Sequence, residues 1–165
     1  TIINPLKVRR WIMSELEQSL VLFYTGVSRD SNNIIESQSK SIEEGSSKTI
    51  DFMLEIKKEA FEMKESLLKG DIRSMAESMQ RGWEAKKSSS TMISNSNIDR
   101  IYDMVMDAGA MAGKISGAGG GGFIMFLVPP SKRMQILALL EKETVGRTMP
   151  CHFVDQGSHS WKIYN

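Results

Sequence analysis

Between Gly113 and Gly122 the chain holds six glycines, and the run KISGAGGGGF leads without a break into FIMFLVPP. Glycine gives up more backbone freedom on folding than any other residue, so this density destabilises a chain unless the fold requires a bare backbone there. A tight hairpin turn needs about two such residues; the run from Gly119 to Gly122, following Gly117-Ala118, exceeds that. The excess points either to close approach of a ligand or another loop, or to a turn that demands positive φ at successive residues. AGKIS before the run and GFIMFLV after it both read as strands, so the glycines connect two strands.

Upstream, SLVLFYTG (Ser19 to Gly26) is a continuous apolar run, rich in branched and aromatic residues and closed by a glycine, the pattern of a strand buried on both faces. Helices are expected between it and the glycine run. SRDSNNIIESQSKSIEE offers Ser28 or Asp30 as an N-cap and runs to Gly45. In SSKTIDFMLEIKKEAFEMKESLLKG, Ile50, Met53, Leu54, Phe61 and Leu68 lie along one stripe that Gly70 stops. Ile72, Met75, Ala76, Met79 and Trp83 keep helical spacing behind a capping Asp71, up to Ser88, Ser89 and Ser90. Ile98, Ile101, Tyr102 and Val105 repeat the pattern, and Gly109 ends it. Beyond the glycines, PPSKRMQILALLEKE begins on prolines suited to a first helical turn and carries a Met134, Leu137, Leu140 seam. MPCHFV and SHSWKIY alternate around Asp155-Gln156-Gly157, a hairpin pattern. The sum is about four or five strands and about five helices, with strands joined by short turns beside blocks of consecutive helices. That is an α+β arrangement: a mainly antiparallel sheet with helices packed on one face.

A chain of 165 residues holds one domain with a real core and not two comfortable ones. Its formal charge of +1 supplies no basic field that would favour nucleic acid or an anionic membrane. The apolar runs LVLFY and FIMFLV are too short to cross a bilayer. Cys151, the single cysteine, has no partner for an internal disulfide and favours a reducing, cytoplasmic setting. His152 and His159 fall in expected strands without partners at metal-ligand spacing, so no metal site is read. The chain opens on Thr1, which fits either a processed terminus or a piece cut from a longer protein.

GAGGGG satisfies G-x-G-x-x-G through Gly117, Gly119 and Gly122, yet the context rejects a dinucleotide site. That fingerprint opens a helix at its third glycine, and here a strand opens instead. A phosphate-binding P-loop fails too, because Lys114 precedes the glycines and no Gly-Lys-Ser/Thr closes them.

KISGAGGGGFIMFLV resembles the third signature of the GHMP kinases, the galacto-, homoserine, mevalonate and phosphomevalonate kinase superfamily. In that family a Lys-x-Ser/Thr-Gly-Ala-Gly-Gly-Gly-Gly stretch forms a C-terminal glycine loop beside the phosphate-binding loop, and Lys114 to Gly122 match it without a departure. FYTGVSRDSNNII, with GWEAKKSSSTMISNSNIDRIYDMVMDAGAMAGKISGAGGGGF, is similar to the heptose-phosphate branch, and the resemblance covers essentially the whole chain. It implies a ferredoxin-like antiparallel sheet. It also implies an ATP-dependent kinase whose acceptor is a sugar or sugar phosphate, with heptose 7-phosphate, phosphorylated at its anomeric position, as the acceptor of that branch. ATP and Mg2+ are the implied cofactors. The family's nucleotide loop, Pro-x-x-x-Gly-Leu-Gly-Ser-Ser-Ala, belongs to an N-terminal domain, as do its catalytic Asp and Lys and its Mg2+-binding Ser and Glu; nothing here matches that loop. Residues 1–165 are therefore expected to be the C-terminal domain alone, inert by itself, holding no catalytic residue, with the N-terminal domain as its partner. An apolar face left without that domain would let the piece pair as a homodimer.

The implied site is the glycine loop, Gly117, Ala118, Gly119, Gly120 and Gly121, with Ser116 and Lys114 beside it; bare N–H groups on a concave backbone favour anions. Lys114 is either a solvated strand residue or a phosphate or sugar contact. Lys86 and Lys87 end a helix, where cations favour the last carbonyls, or one of them grips a phosphate the acceptor already carries. Arg29, beside Asp30, either belongs to a helix start or touches substrate. Two other classes compete: a free-standing ferredoxin-like module that binds a small ligand, and a purely structural or interaction domain. Neither calls for this glycine string.

Overall fold

The structure, a computed structural model, describes residues 4–27, 35–36, 39–40, 43, 47–90, 92–154 and 156–162. Its strands are β1 (Leu20–Tyr24), β2 (Ala112–Ile115), β3 (Phe123–Leu127) and β4 (Arg147–Met149), and they form one sheet in the order β2-β3-β1-β4. Every pairing in it is antiparallel. Helix α1 (Arg10–Ser19) precedes β1; α2 (Ser47–Lys69), α3 (Ile72–Ser89) and α4 (Ser96–Asp107) lie between β1 and β2; α5 (Pro130–Leu140) joins β3 to β4. Strand, helices, two strands, helix, strand is the split βαβ pattern of a ferredoxin-like α+β fold, as expected.

Residue alternation along the strands divides the core. Val21, Phe23, Ile124 and Phe126 point to one face and form the principal core with Ile98, Ile101 and Val105 of α4 and Ile136 and Leu140 of α5. On the opposite face Leu20, Leu127 and Ala112 meet Leu16 of α1 and Ile72, Ala76 and Met79 of α3 in a smaller cluster, so helices cover both faces of the sheet and not the single face expected. Helices α2 and α3 form a hairpin with a defined hinge. Gly70, at φ +76°, lets its N–H reach Leu67 O at 3.1 Å while Asp71 N–H reaches Ser66 O at 2.9 Å, the paired bonds of a Schellman stop. Asp71 then caps α3, accepting Ser74 N–H at 3.0 Å. Gly109 ends α4 in the same way, with its N–H on Met106 O and Ala110 N–H on Val105 O.

The structure departs from expectation at several elements. In α2 the expected stripe faces outward: Leu54 and Phe61 are each 58% exposed, and Ile50 and Leu68 are exposed too. The inward face carries Phe52 and Glu59, with Met63 and Leu67 packed on the smaller cluster. Glu59 settles that orientation, because its carboxylate takes Arg81 Nε at 2.8 Å and Nη2 at 2.9 Å, tying α2 to α3. In α5, Leu137 and Leu140 of the expected seam pack on the principal core together with Ile136, but Met134 is 75% exposed and lies off it. Among the described residues the expected C-terminal hairpin is not seen: β4 stops at Met149, and residues 150–154 and 156–162 carry no strand, so His152 and His159 lie outside the sheet. Pro150 lacks the N–H that would extend the ladder. Helix α1 was not anticipated, though Ile12, Leu16 and Ser19 are buried at helical spacing. Arg29, Asp30 and most of the helix expected up to Gly45 lie outside the described residues, while Ile35, Glu36, Ser39, Lys40 and Glu43 are helical.

Candidate functional site

The glycine loop spans residues 116–122 between β2 and β3, closed at its base by Ser116 N–H donating to Phe123 O at 2.8 Å. Four of its residues take positive φ: Gly117 (+83°), Gly119 (+126°), Gly120 (+74°) and Gly122 (+84°). A Cβ at Gly117 or Gly122 would meet nothing within 4 Å, so backbone angle alone demands glycine there. At Gly119 the reason is different: a Cβ would lie 2.9 Å from both Cα and O of Ile93. The close approach expected from the sequence is thus made by the segment between α3 and α4.

Two loop amides are spent on anchoring. Gly120 N–H donates to Ile93 O at 2.7 Å, and Gly122 N–H to Val27 O at 2.7 Å. Gly122 O in turn accepts Thr25 N–H at 2.9 Å, and the buried Thr25 hydroxyl lies 3.0 Å from the same oxygen. Asn95 caps α4, its Oδ1 accepting Asn97 and Ile98 N–H, both at 3.1 Å, and turns its Nδ2 to Gly120 O. Among the described residues, the amides of Gly117, Ala118, Gly119 and Gly121 have no acceptor, leaving a row of N–H donors for an outside anion. A hollow of about 330 Å³ beside Gly120 and Gly121 is completed by Thr25, Val27, Asn95 and the first turn of α4.

The expected site residues separate into two groups. Lys114 on β2, Ser116, Gly117 and Lys86 near the end of α3 come together: the Lys86 ammonium donates to Gly117 O, and Lys86 and Lys114 line one cavity. Burial pushes the Lys86 amine below the usual lysine range, and the neighbouring Lys114 charge pushes it the same way. Ser116 and Gly117 are exposed, Ala118 and Gly119 half-buried, Gly120 and Gly121 buried. Lys87 belongs elsewhere. Its amine is 2.8 Å from Asp99 Oδ1 and sits over the Trp83 ring, so it braces α3 against α4. Burial raises the Asp99 carboxyl, but hydrogen bonds from Lys87 and Ser94 outweigh it and leave the group below its ordinary value.

Sequence reasoning did not single out Thr25, Ile93 or Asn95. Asn95 was findable, since an Asn just ahead of SNIDRIYDMV is an N-cap signal. Ile93 offers its backbone, and a backbone carbonyl leaves no mark in a sequence. Among the described residues no group of His, Cys, Asp and Glu is arranged to hold a metal ion, and no helix is long and apolar enough to cross a membrane.

Residues 63–143 match the family model described as GHMP kinases C terminal. The D-glycero-alpha-D-manno-heptose 7-phosphate kinase of Campylobacter jejuni is 38% identical over 162 residues, covering 98% of this chain and 47% of that protein. The crystal structure of a D-glycero-D-manno-heptose 1-phosphate kinase from Bacteroides thetaiotaomicron superposes with a TM-score of 0.68 at 37% identity, covering 99% of this chain and 42% of the other. L. major mevalonate kinase, at 20% identity and a TM-score of 0.67, shares the fold. The chain therefore spans less than half the length of these relatives.

Proposed function

The chain belongs to the GHMP kinases, and from that premise we propose that it is the C-terminal half of an ATP-dependent sugar or sugar-phosphate kinase, with a heptose phosphate as the favoured acceptor. The similarity to heptose phosphate kinases supports the acceptor class. The observation that carries the reading is the loop itself: Gly120 and Gly122 are pinned through their amides while those of Gly117, Ala118, Gly119 and Gly121 have no acceptor among the described residues. Phosphoryl transfer asks a protein for positioning and for stabilisation of charge on the transferred group, and pre-aimed amides supply both.

ATP and Mg2+ would be held mainly by the remaining half of the protein. The described residues fit a supporting role, because they offer N–H donors and lysines but no acidic cluster for a divalent ion. ATP supplies the phosphoryl group, and this chain's residues position what receives it. Gly117 to Gly121 line the cleft and shape the facing phosphate loop; Ser116 and Lys114 flank it. Of the cations proposed to grip the acceptor's own phosphate, Lys86, whose ammonium rests on Gly117 O beside the loop, is the favoured one, because Lys87 is engaged by Asp99.

The test is acceptor-dependent ATP consumption by the whole protein against a panel of phosphorylated and unphosphorylated sugars. Turnover with a heptose phosphate above the rest of the panel is expected. Absence of acceptor-dependent turnover across the panel would overturn the reading.

A further inference from the structure

A second cavity lies behind the glycine loop, between α2, α3 and β2, with a volume of about 150 Å³. Ile56, Ala60, Met63 and Met79 give it an apolar floor, and Lys86 and Lys114 stand on its wall. Glu59 also borders it, but both its oxygens are taken by Arg81. Neither lysine has an ion pair with a carboxylate among the described residues; the Lys86 ammonium rests on the neutral carbonyl of Gly117. Two cations sharing one partly desolvated space repel each other unless an anion joins them. Trp83 lines the same cavity, so its indole resonance reports on what enters.

The geometry points to an oxyanion site in this cavity, where Lys86 and Lys114 together hold a phosphate group. The space corresponds to about five waters at ~30 Å³ each, enough for a tetrahedral oxyanion and too little for a whole sugar phosphate. A phosphoryl end therefore enters, and whatever carries it stays outside, at the loop. Entry draws the Lys86 ammonium from Gly117 O onto the anion and frees that carbonyl, so occupancy of the cavity is linked to the first residue of the glycine loop. The site stands on the cavity; only the identity of the phosphate's carrier, the acceptor itself or free inorganic phosphate, rests on the kinase reading.

Titration of the ¹⁵N-labelled chain with inorganic phosphate tests the site, with the Trp83 indole resonance identified by its loss in Trp83→Phe. A saturable shift of that resonance and of the Gly117 and Ala118 amides is expected. Lys86→Met and Lys114→Met should each weaken phosphate binding about tenfold or more, as expected for loss of a hydrogen bond to a charged group, and Lys87→Met should leave it unchanged. Should Lys86→Met disturb the fold, Lys86→Gln and the Lys114 variant carry the comparison. No saturable shift, or an equal affinity in the Lys86 and Lys114 variants, overturns the site. In the whole protein, a KM increase in Lys114→Met confined to phosphorylated acceptors identifies the acceptor as the carrier, and inhibition by inorganic phosphate that acceptor does not relieve identifies free phosphate; both outcomes uphold the site. Saturable phosphate binding without kinase turnover would sink the kinase reading and leave the site standing; turnover without saturable binding would do the reverse.

Discussion

Gly119 lies so close under Ile93 that a Cβ on it would stand 2.9 Å from both the Cα and the carbonyl oxygen of the isoleucine. That contact, with the Gly120 N–H bond to the same carbonyl, fixes the glycine loop to the segment joining α3 and α4. Gly119→Ala must therefore overcome both a φ of +126° and a backbone clash, at a combined cost of about 2–5 kcal/mol. Gly117→Ala meets open space and bears only the angle, about 1–2 kcal/mol. Denaturant unfolding of the two variants should rank them in that order, and equal losses would show that the Ile93 contact yields freely.

Acid stability should depend on Glu59. The hydrogen bonds from Arg81 hold its carboxyl below the ordinary value of 4.5 despite its burial. A depressed carboxylate contributes fully above its unfolded pKa, and the contribution is lost as pH falls through the folded one. The wild type should thus lose stability as pH drops below about 4.5. Glu59→Gln should be less stable at neutral pH by about 1–3 kcal/mol and flatter through the acid range, where thermal melts between neutral pH and pH ~3 would read it. An unchanged acid slope would assign the effect to other carboxylates.

Tyr102 governs the alkaline side. Burial pushes its phenol up to about 12, against the hydrogen bond to Gln80. Folding favours the protonated form, so this contribution is present below the ordinary value of 10.0 and lost as pH rises toward 12. Absorbance titration of phenolate should find one tyrosine ionising late, and Tyr102→Phe should remove that step and soften the alkaline loss of stability. A Tyr102 that titrates at the ordinary value of 10.0 would contradict its placement.

Much of this arrangement was legible from residues and spacing. The glycine run between AGKIS and GFIMFLV placed β2 and β3 and the loop between them, and Asp71 and Gly109 marked helix boundaries that the structure keeps. Helix α2 was misoriented for a physical reason. It carries apolar residues on two faces, and periodicity cannot say which face is inside when the arbiter is a buried Glu59–Arg81 pair spanning two helices. The C-terminal alternation around Asp155 resembled a hairpin, but β4 ends where Pro150 removes a donor. At the site, side chains announced themselves and backbones did not. Lys86 and Lys114 stand out as cations beside the glycine run, whereas the carbonyls of Ile93 and Val27 that hold the loop are invisible in a sequence.

The account turns on the loop facing the reacting phosphate, and Gly117 tests that most directly because its surroundings tolerate a side chain. Acceptor-dependent turnover of the whole protein should be measured for Gly117→Ala and Gly117→Val, with melting curves verifying that each stays folded. The account predicts a kcat about 10²- to 10³-fold below wild type, valine the more severe, with the fold retained. Wild-type turnover in a folded Gly117→Val protein would contradict it.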